Sequence, residues 1–311
     1  MSLTPSGQPQ SQAAPQKRPS TTEKRRAFRA LHASGCFAIP NPWDIGSALY
    51  LQSLGFKALA STSSGFAWSR GRADNTPTRA EILAHLAELA AAIDVPLNAD
   101  YENGFGADAA GVAESVRLAV ESGIAGLSIE DSIGPRLQRT AGAVGTSPGP
   151  LFDLEAAVER IRAARRAIDA TGEDVLLIGR TEGFLEGQPN IDEAVARLLA
   201  YAHAGADCLY APGIQSPEHI RRVVEAVHPK PVNVLVMAPA TQSLRQLGEL
   251  GVRRVSVGGA LARAAWGGFM HAAREIAEHG RFEALASAAS GRSLDALFDA
   301  FHHGAAGAMK N

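Results

Sequence analysis

Hydrophobic positions come in two rhythms along this chain. From residue 36 onward, short runs rich in aliphatic and β-branched residues alternate with stretches whose apolar positions recur at helical spacing. The first run covers 36–40 and precedes a predicted helix near 44–55. Further runs stand at 57–62, 95–100, 126–130, 175–180, 207–210, 231–235 and 254–257. The amphipathic stretches after them cover 77–93, 108–123, 153–170, 190–204, 216–227, 241–249 and 259–278. Thr76 and Pro77 read as the cap and first residue of the helix at 77–93. Gly123, Gly205 and Gly251 each stand between a helix and the next strand, where a left-handed stop is favoured. Eight strand–helix units in order predict an α/β fold, a (β/α)8 TIM barrel. An open doubly wound sheet would use about five or six strands. Residues 282–306 add one or two helices, with an apolar stripe through Phe282, Leu285, Leu294, Leu297, Phe298 and Phe301. That stripe must cover either this barrel or a neighbouring subunit.

Composition narrows the field. The chain has 311 residues, room for one barrel of about 250 residues with extra segments. Apolar residues make up 46% and the formal charge is −2, so nothing global points to nucleic acid or a membrane surface. No apolar run reaches the ~20 residues of a membrane span, and the N-terminus lacks the apolar core of a secretory signal. The two cysteines, Cys36 and Cys208, give neither metal-ligand spacing nor a disulfide framework, which fits a cytoplasmic protein. Residues 1–22 are polar and rich in Pro, Gln and Ser and read as a disordered tail, leaving 23–311 for the barrel and its C-terminal helical extension.

A parallel barrel builds its site at the carboxyl ends of its strands. Those positions carry Asn41 and Asp44, Ser61 to Ser64, Asn98, Asp100 and Glu102, Glu130 and Asp131, Arg180 and Glu182, and Asn233. Side chains alternate faces along a strand, so Asn98 and Asp100 share one face. Asp100, Glu130 and Arg180 each interrupt an apolar strand at its C-terminal end. Carboxylates converging on one mouth repel, and a hard divalent ion such as Mg²⁺ relieves this. Arg180 offers a planar clamp for a carboxylate or phosphonate. Asp44 reads equally well as the cap of the first barrel helix. Asp131 and Glu182 read as solvated charges, Asp207 as a stabilising residue at the far end, and the histidines and Cys208 as structural.

At these residues the sequence resembles the isocitrate lyase/phosphoenolpyruvate mutase superfamily. The resemblance runs over about residues 25–275 through Asn41-Pro-Trp-Asp-Ile-Gly-Ser-Ala48, Ser63-Ser-Gly65, Asn98-Ala-Asp-Tyr-Glu-Asn-Gly-Phe-Gly106, Ser128-Ile-Glu-Asp131, Gly179-Arg-Thr-Glu182 and Ala204-Gly-Ala-Asp207. It implies a homotetramer that exchanges its last barrel helix between subunits, Mg²⁺ (or Mn²⁺) at an acidic rim, and small anionic oxyacid substrates. It also implies cleavage or formation of a C–C or P–C bond beside a 2-oxo acid, through an enolate held at the metal. By position, Asp100 and Glu130 match metal-shell acids, Asp74 the gating-loop aspartate, Arg180 the substrate clamp, and Ser63, Ser64 and Gly65 the carboxylate-binding turn. Trp43, Asp44 and Asn233 join the expected substrate contacts.

Two departures stand out. The family often has Asp-x-Asp on the third strand, and Asn98 is read as occupying the first position, with Glu102 restoring the charge. The loop at 131–147 lacks the Lys-Lys-Cys-Gly-His of isocitrate and methylisocitrate lyases, so a thiol mechanism is not expected. Arg136 and Arg139 in that glycine-rich loop could cover an anion or simply be solvated. The leading expectation is a Mg²⁺-dependent C–C lyase of small 2-oxo or 2-hydroxy (di)carboxylic acids. P–C chemistry of the mutase or hydrolase type is the alternative, supported by Asp74 and Asn75 but not by a gating-loop Lys. A non-catalytic acid-binding barrel, supported by Asn98, is the third.

Overall fold

The structure, a computed structural model, describes residues 17–134, 150–240 and 242–302. The tail at 1–16 and the loop segment bearing Arg136 and Arg139 lie outside the described residues. Eight parallel strands form one sheet among the described residues: β1 (Phe37–Ile39), β2 (Leu59–Ala60), β3 (Leu97–Asp100), β4 (Gly126–Glu130), β5 (Leu176–Arg180), β6 (Cys208–Tyr210), β7 (Val232–Leu235) and β8 (Arg254–Ser256). Their order runs β1-β8-β7-β6-β5-β4-β3-β2. The seam between β1 and β2 is bridged by the Ala60 N–H, which donates to Pro40 O at 3.0 Å. The result is the nearly closed (β/α)8 barrel that the alternating pattern predicts.

Helices α1 (Thr21–Leu31), α2 (Ile45–Ser53), α3 (Ser63–Ser69), α4 (Arg79–Ala92), α5 (Ala109–Glu121), α6 (Leu154–Thr171), α7 (Ile191–His203), α8 (Pro217–Val227), α9 (Leu244–Glu249), α10 (Ala260–His279) and α11 (Gly291–His302) surround it. Their starts are written in capping residues. Asp44 caps α2, Asp108 caps α5 and Asn190 caps α7, each accepting from N–H groups that lack an intrahelical partner. The expected start of α4 shifts by two residues. Thr78, not Thr76, is its cap, because Thr78 and Glu81 form a reciprocal capping box.

Two helices were not visible in the hydrophobic pattern. α3 sits where the serines after β2 read as loop. α1 begins inside the segment assigned to the polar tail, opened by a capping box between Ser20 and Glu23. It closes the amino end of the barrel. Phe28 is fully buried in a small cluster with the inward residues Ile39, Ala60, Leu176, Ile178, Cys208 and Tyr210. Lys24 Nζ donates to Ala90 O at 2.9 Å, and Arg25 donates to Ile124 O and Val120 O at 3.0 and 2.7 Å. Gly126 is required here, since a Cβ would stand 2.6 Å from the Phe28 ring. The larger core lies between strands and helices, with Leu97, Ala99, Leu127, Ile129 and Leu177 facing outward into it. Strand parity therefore leaves Asn98 and Asp100 on the inner face. No helix among the described residues is long and apolar enough to cross a membrane.

Candidate active site

The carboxyl ends of the strands surround a cavity of about 430 Å³. Its rim carries Ser63 and Ser64 from the start of α3, Asp74 and Asn75 from the following loop, Asp100, Glu130 and Arg180 from the ends of β3, β4 and β5, and Glu182 just past β5. Arg180 is the hub. Its Nη1 lies 3.2 Å from Asp100 Oδ1 and 3.4 Å from Glu130 Oε2, and its Nε donates to Glu182 Oε1. The strand register explains the convergence, because Glu130 pairs with Arg180 and Arg180 with Tyr210 across adjacent strands. The guanidinium also stands over the Tyr210 ring, 5.0 Å from its centroid.

At the rim, Arg180 stands among several acids, and this sets the electrostatics. Burial pushes the Glu130 carboxyl well above the usual range, and Arg180 only partly offsets this against Glu182, Asp100 and Glu102. Glu182 is also raised by burial, against the pull of Arg180. Burial opposes the charge on Arg180, but the carboxylates of Glu182 and Glu130 outweigh it and hold the guanidinium protonated. Asp74 is raised by desolvation and by Asp100. Asp100 is held from the other side, where Ser63 N and Ser63 Oγ both donate to Oδ2 at 3.0 Å.

Several expected site residues sit elsewhere. Asn98 does line the cavity, but one layer below the rim, where its Oδ1 accepts from Arg254 Nη1 at 3.3 Å. Asn233 is buried beside it, accepting from Arg254 Nε at 2.8 Å and donating to Ser256 Oγ at 3.0 Å. Glu102 is buried behind β3 with a positive φ of 45° and does not line the cavity, though its carbonyl accepts from Glu130 N. The Gly65 N–H is taken by Thr62 Oγ1, and a Cβ at Gly65 would stand 2.9 Å from Trp43 Cβ. Trp43 lines an apolar groove beside α2 instead of the cavity. Asp44 is an exposed cap that accepts from Ser47 N at 2.7 Å.

The solvated readings of Asp131 and Glu182 are corrected. Asp131 is 2% exposed and accepts from Thr181 Oγ1, Glu182 N, Arg197 Nη1 and Tyr201 OH at 2.8, 2.8, 3.2 and 2.6 Å. It anchors the turn that aims Glu182 at Arg180. Tyr210 and Arg254 also line the cavity and were not singled out. The parity rule could have found both, since Tyr210 ends its strand and Arg254 lies two residues before the inward Ser256. Asn41 joins strand ends across the seam. Its Nδ2 donates to Ser61 O, and its Oδ1 accepts from Val257 N and Gly258 N. Asp207 works at the amino end as expected, accepting from Leu177 N and Arg165.

Comparison with known proteins places this geometry. A family model described as phosphoenolpyruvate phosphomutase matches residues 28–277. An oxaloacetate decarboxylase of Paraburkholderia xenovorans is 31% identical over 240 residues, covering 76% of this chain and 75% of that one. A 2-methylisocitrate lyase of Escherichia coli K12 is 32% identical over 208 residues, covering 65% and 66%. Among solved structures, a Burkholderia cenocepacia J2315 chain described only at the level of lyase or mutase is 45% identical. It has a TM-score of 0.83 and coverage of 90% and 97%. The chain belongs to the phosphoenolpyruvate phosphomutase family, within the isocitrate lyase/phosphoenolpyruvate mutase superfamily of lyases and mutases.

Proposed function

We propose that this enzyme is a divalent-metal-dependent carbon–carbon lyase acting on small 2-oxo or 2-hydroxy (di)carboxylic acids. The observation that carries the reading is the convergence of Asp100, Glu130 and Glu182 on the single guanidinium of Arg180 inside a closed-bottomed cavity. The donor set fits Mg²⁺ or Mn²⁺. Asp100 and Glu130 project from adjacent strands, and such ions take one or two carboxylates and complete their shell with water and substrate oxygens. Among the described residues no three acid, histidine or cysteine side chains are arranged to hold one metal ion, so water and substrate would supply most of that shell. Asp100 and Glu130 would hold the ion, with Glu102 behind them. When bound, it supplies Lewis acidity for the 2-oxo or 2-hydroxy oxygen.

The chain's own groups do the rest. Arg180 binds a substrate carboxylate at a fixed orientation. Ser63 and Ser64 border the same space. Asp74, with its raised carboxyl at the lip, is placed to exchange a proton with the departing carbon. Neither cysteine lines the cavity, and burial pushes the Cys208 thiol up to about 11, which agrees with a thiol-independent reaction. P–C bond chemistry is the second reading, favoured by Asp74 and Asn75 standing together on the cavity lip. The main ground for a non-catalytic barrel weakens, because Asn98 is engaged with Arg254 below the acids.

Calorimetric titration with Mg²⁺ and Mn²⁺, with and without oxalate, tests the metal. The expected result is binding that tightens with oxalate, and no binding in either case would sink the enzyme readings. Release of pyruvate or glyoxylate from a panel of C4–C6 oxyacids then supports the lyase. Phosphate release from phosphonopyruvate supports the second reading instead.

A further inference from the structure

Below the acidic rim, the cavity floor carries a charge that the proposed reaction leaves unused. Arg254 begins β8, two residues before Ser256, and therefore lies roughly 7 Å deeper than the strand ends. Its side chain is 2% exposed, yet it lines the cavity. It reaches across the barrel, with Nε donating to Asn233 Oδ1 at 2.8 Å and Nη1 to Asn98 Oδ1 at 3.3 Å. Both acceptors are neutral amides. A guanidinium has five N–H donors, and beyond these two bonds the others have no protein acceptor among the described residues.

The groups around Arg254 do not neutralise it. From β6, Cys208 and Tyr210 face it, and burial raises the thiol to about 11 and the phenol to about 12, so both are uncharged near neutral pH. From α1 below, His32 is held down to about 3 by burial and by Arg254 itself, and is also neutral. Among the described residues no carboxylate acts on Arg254 as the rim acids act on Arg180. A second buried arginine, Arg160, is different. It is spent on the carbonyls of Asn103 and Gly106 and on the Phe152 ring, away from the cavity. A buried cation without a counter-charge is costly unless an anion completes it. The cavity thus has two storeys, an acidic rim and a cationic floor set among neutral polar groups.

We propose that Arg254, with Ser256 beside it and Asn98 and Asn233 holding its orientation, forms a second anion subsite that takes the remote carboxylate of a small di-acid. The proposal rests on the oxyacid reading of the rim and narrows it to substrates with two separated carboxylates. Arg180 and the rim acids handle the 2-oxo end, and Arg254 selects for the other end.

The test compares two probes by calorimetry with Mg²⁺ present. Oxalate is short enough to use the rim alone. 3,3-Difluorooxaloacetate is a four-carbon di-acid with no proton on C3, so it cannot enolise by deprotonation there. In Arg254→Met, difluorooxaloacetate should bind at least ten-fold more weakly, with oxalate affinity within about two-fold of wild type. Asn233→Asp puts a carboxylate at the Nε acceptor position and should reproduce this loss while keeping the arginine. It carries the test if Arg254→Met fails to fold by circular dichroism. Unchanged difluorooxaloacetate affinity, or an equal loss for both probes, overturns the floor subsite and leaves the rim reading standing. A wild-type protein that binds neither probe overturns the rim reading and the subsite with it.

Discussion

Asp131 directly follows β4 and is buried. An acid just past a strand end reads as solvated, but here four donors surround it in the interior. The reason was out of reach in the sequence, because Arg197 and Tyr201 approach from α7, more than sixty positions away. Its charge holds Arg197 and fixes the backbone N–H of Glu182. Asp131→Asn should therefore cost about 3–5 kcal/mol, the usual penalty for breaking a buried ion pair. Urea denaturation measures this, and a loss below about 1 kcal/mol would show that the network carries no structural weight. Asp100, Glu130 and Arg180 were legible for the opposite reason. Each breaks an apolar strand at a position whose direction strand parity already fixes. Asn98 obeyed the same parity, but parity does not give depth, and one layer separates a rim ligand from a floor residue.

The same limit holds for elements. The strand–helix alternation was legible because each barrel helix repeats an apolar face at helical spacing. α3 has only seven residues, too few to show a period, and is held by packing. Phe66 on α3 stacks on His85 of α4 with ring centroids 4.0 Å apart and planes 17° from parallel. His85 is buried, and burial followed by the charge of Arg70 lowers its pKa from 6.5 to about 4. The unfolded chain takes up this proton below about pH 6.5, whereas the folded protein resists until about 4. Stability is therefore complete above pH 6.5 and falls with acid, by at most about 1.4 kcal/mol per pH unit from this group. His85→Phe keeps the stacked ring and removes the titration. Its denaturation free energy should fall less steeply than wild type between pH 6.5 and 4. Parallel curves for the two proteins would show that His85 does not titrate in this window. Because α3 presents Ser63 to Asp100, acid should loosen the rim before it melts the barrel.

At the scale of the whole molecule, one barrel element does not behave as its position suggests. α10 follows β8 and has twenty residues, yet among them only Ala262 is buried. Trp266 and Met270 stand out to solvent and Phe269 is 63% exposed, a contiguous apolar face of the kind that marks an interaction surface. On the barrel itself, the groove between α2 and α9 remains open and is lined by Leu51, Leu54, Phe56, Leu244 and Leu247. We propose that the two surfaces meet in a homo-oligomer, through the exchange of the last barrel helix between subunits that the resemblance implies. Such faces associate through burial of apolar area, so charges placed on the helix should separate the subunits without touching the cavity. The double variant Trp266→Glu with Phe269→Glu should sediment as a monomer of about the chain's 32.5 kDa, while wild type sediments as a multiple of it. A wild-type protein that is monomeric at micromolar concentration would remove the exchange. An oligomeric double variant would move the interface to another face, leaving α10 and the groove without a shared partner.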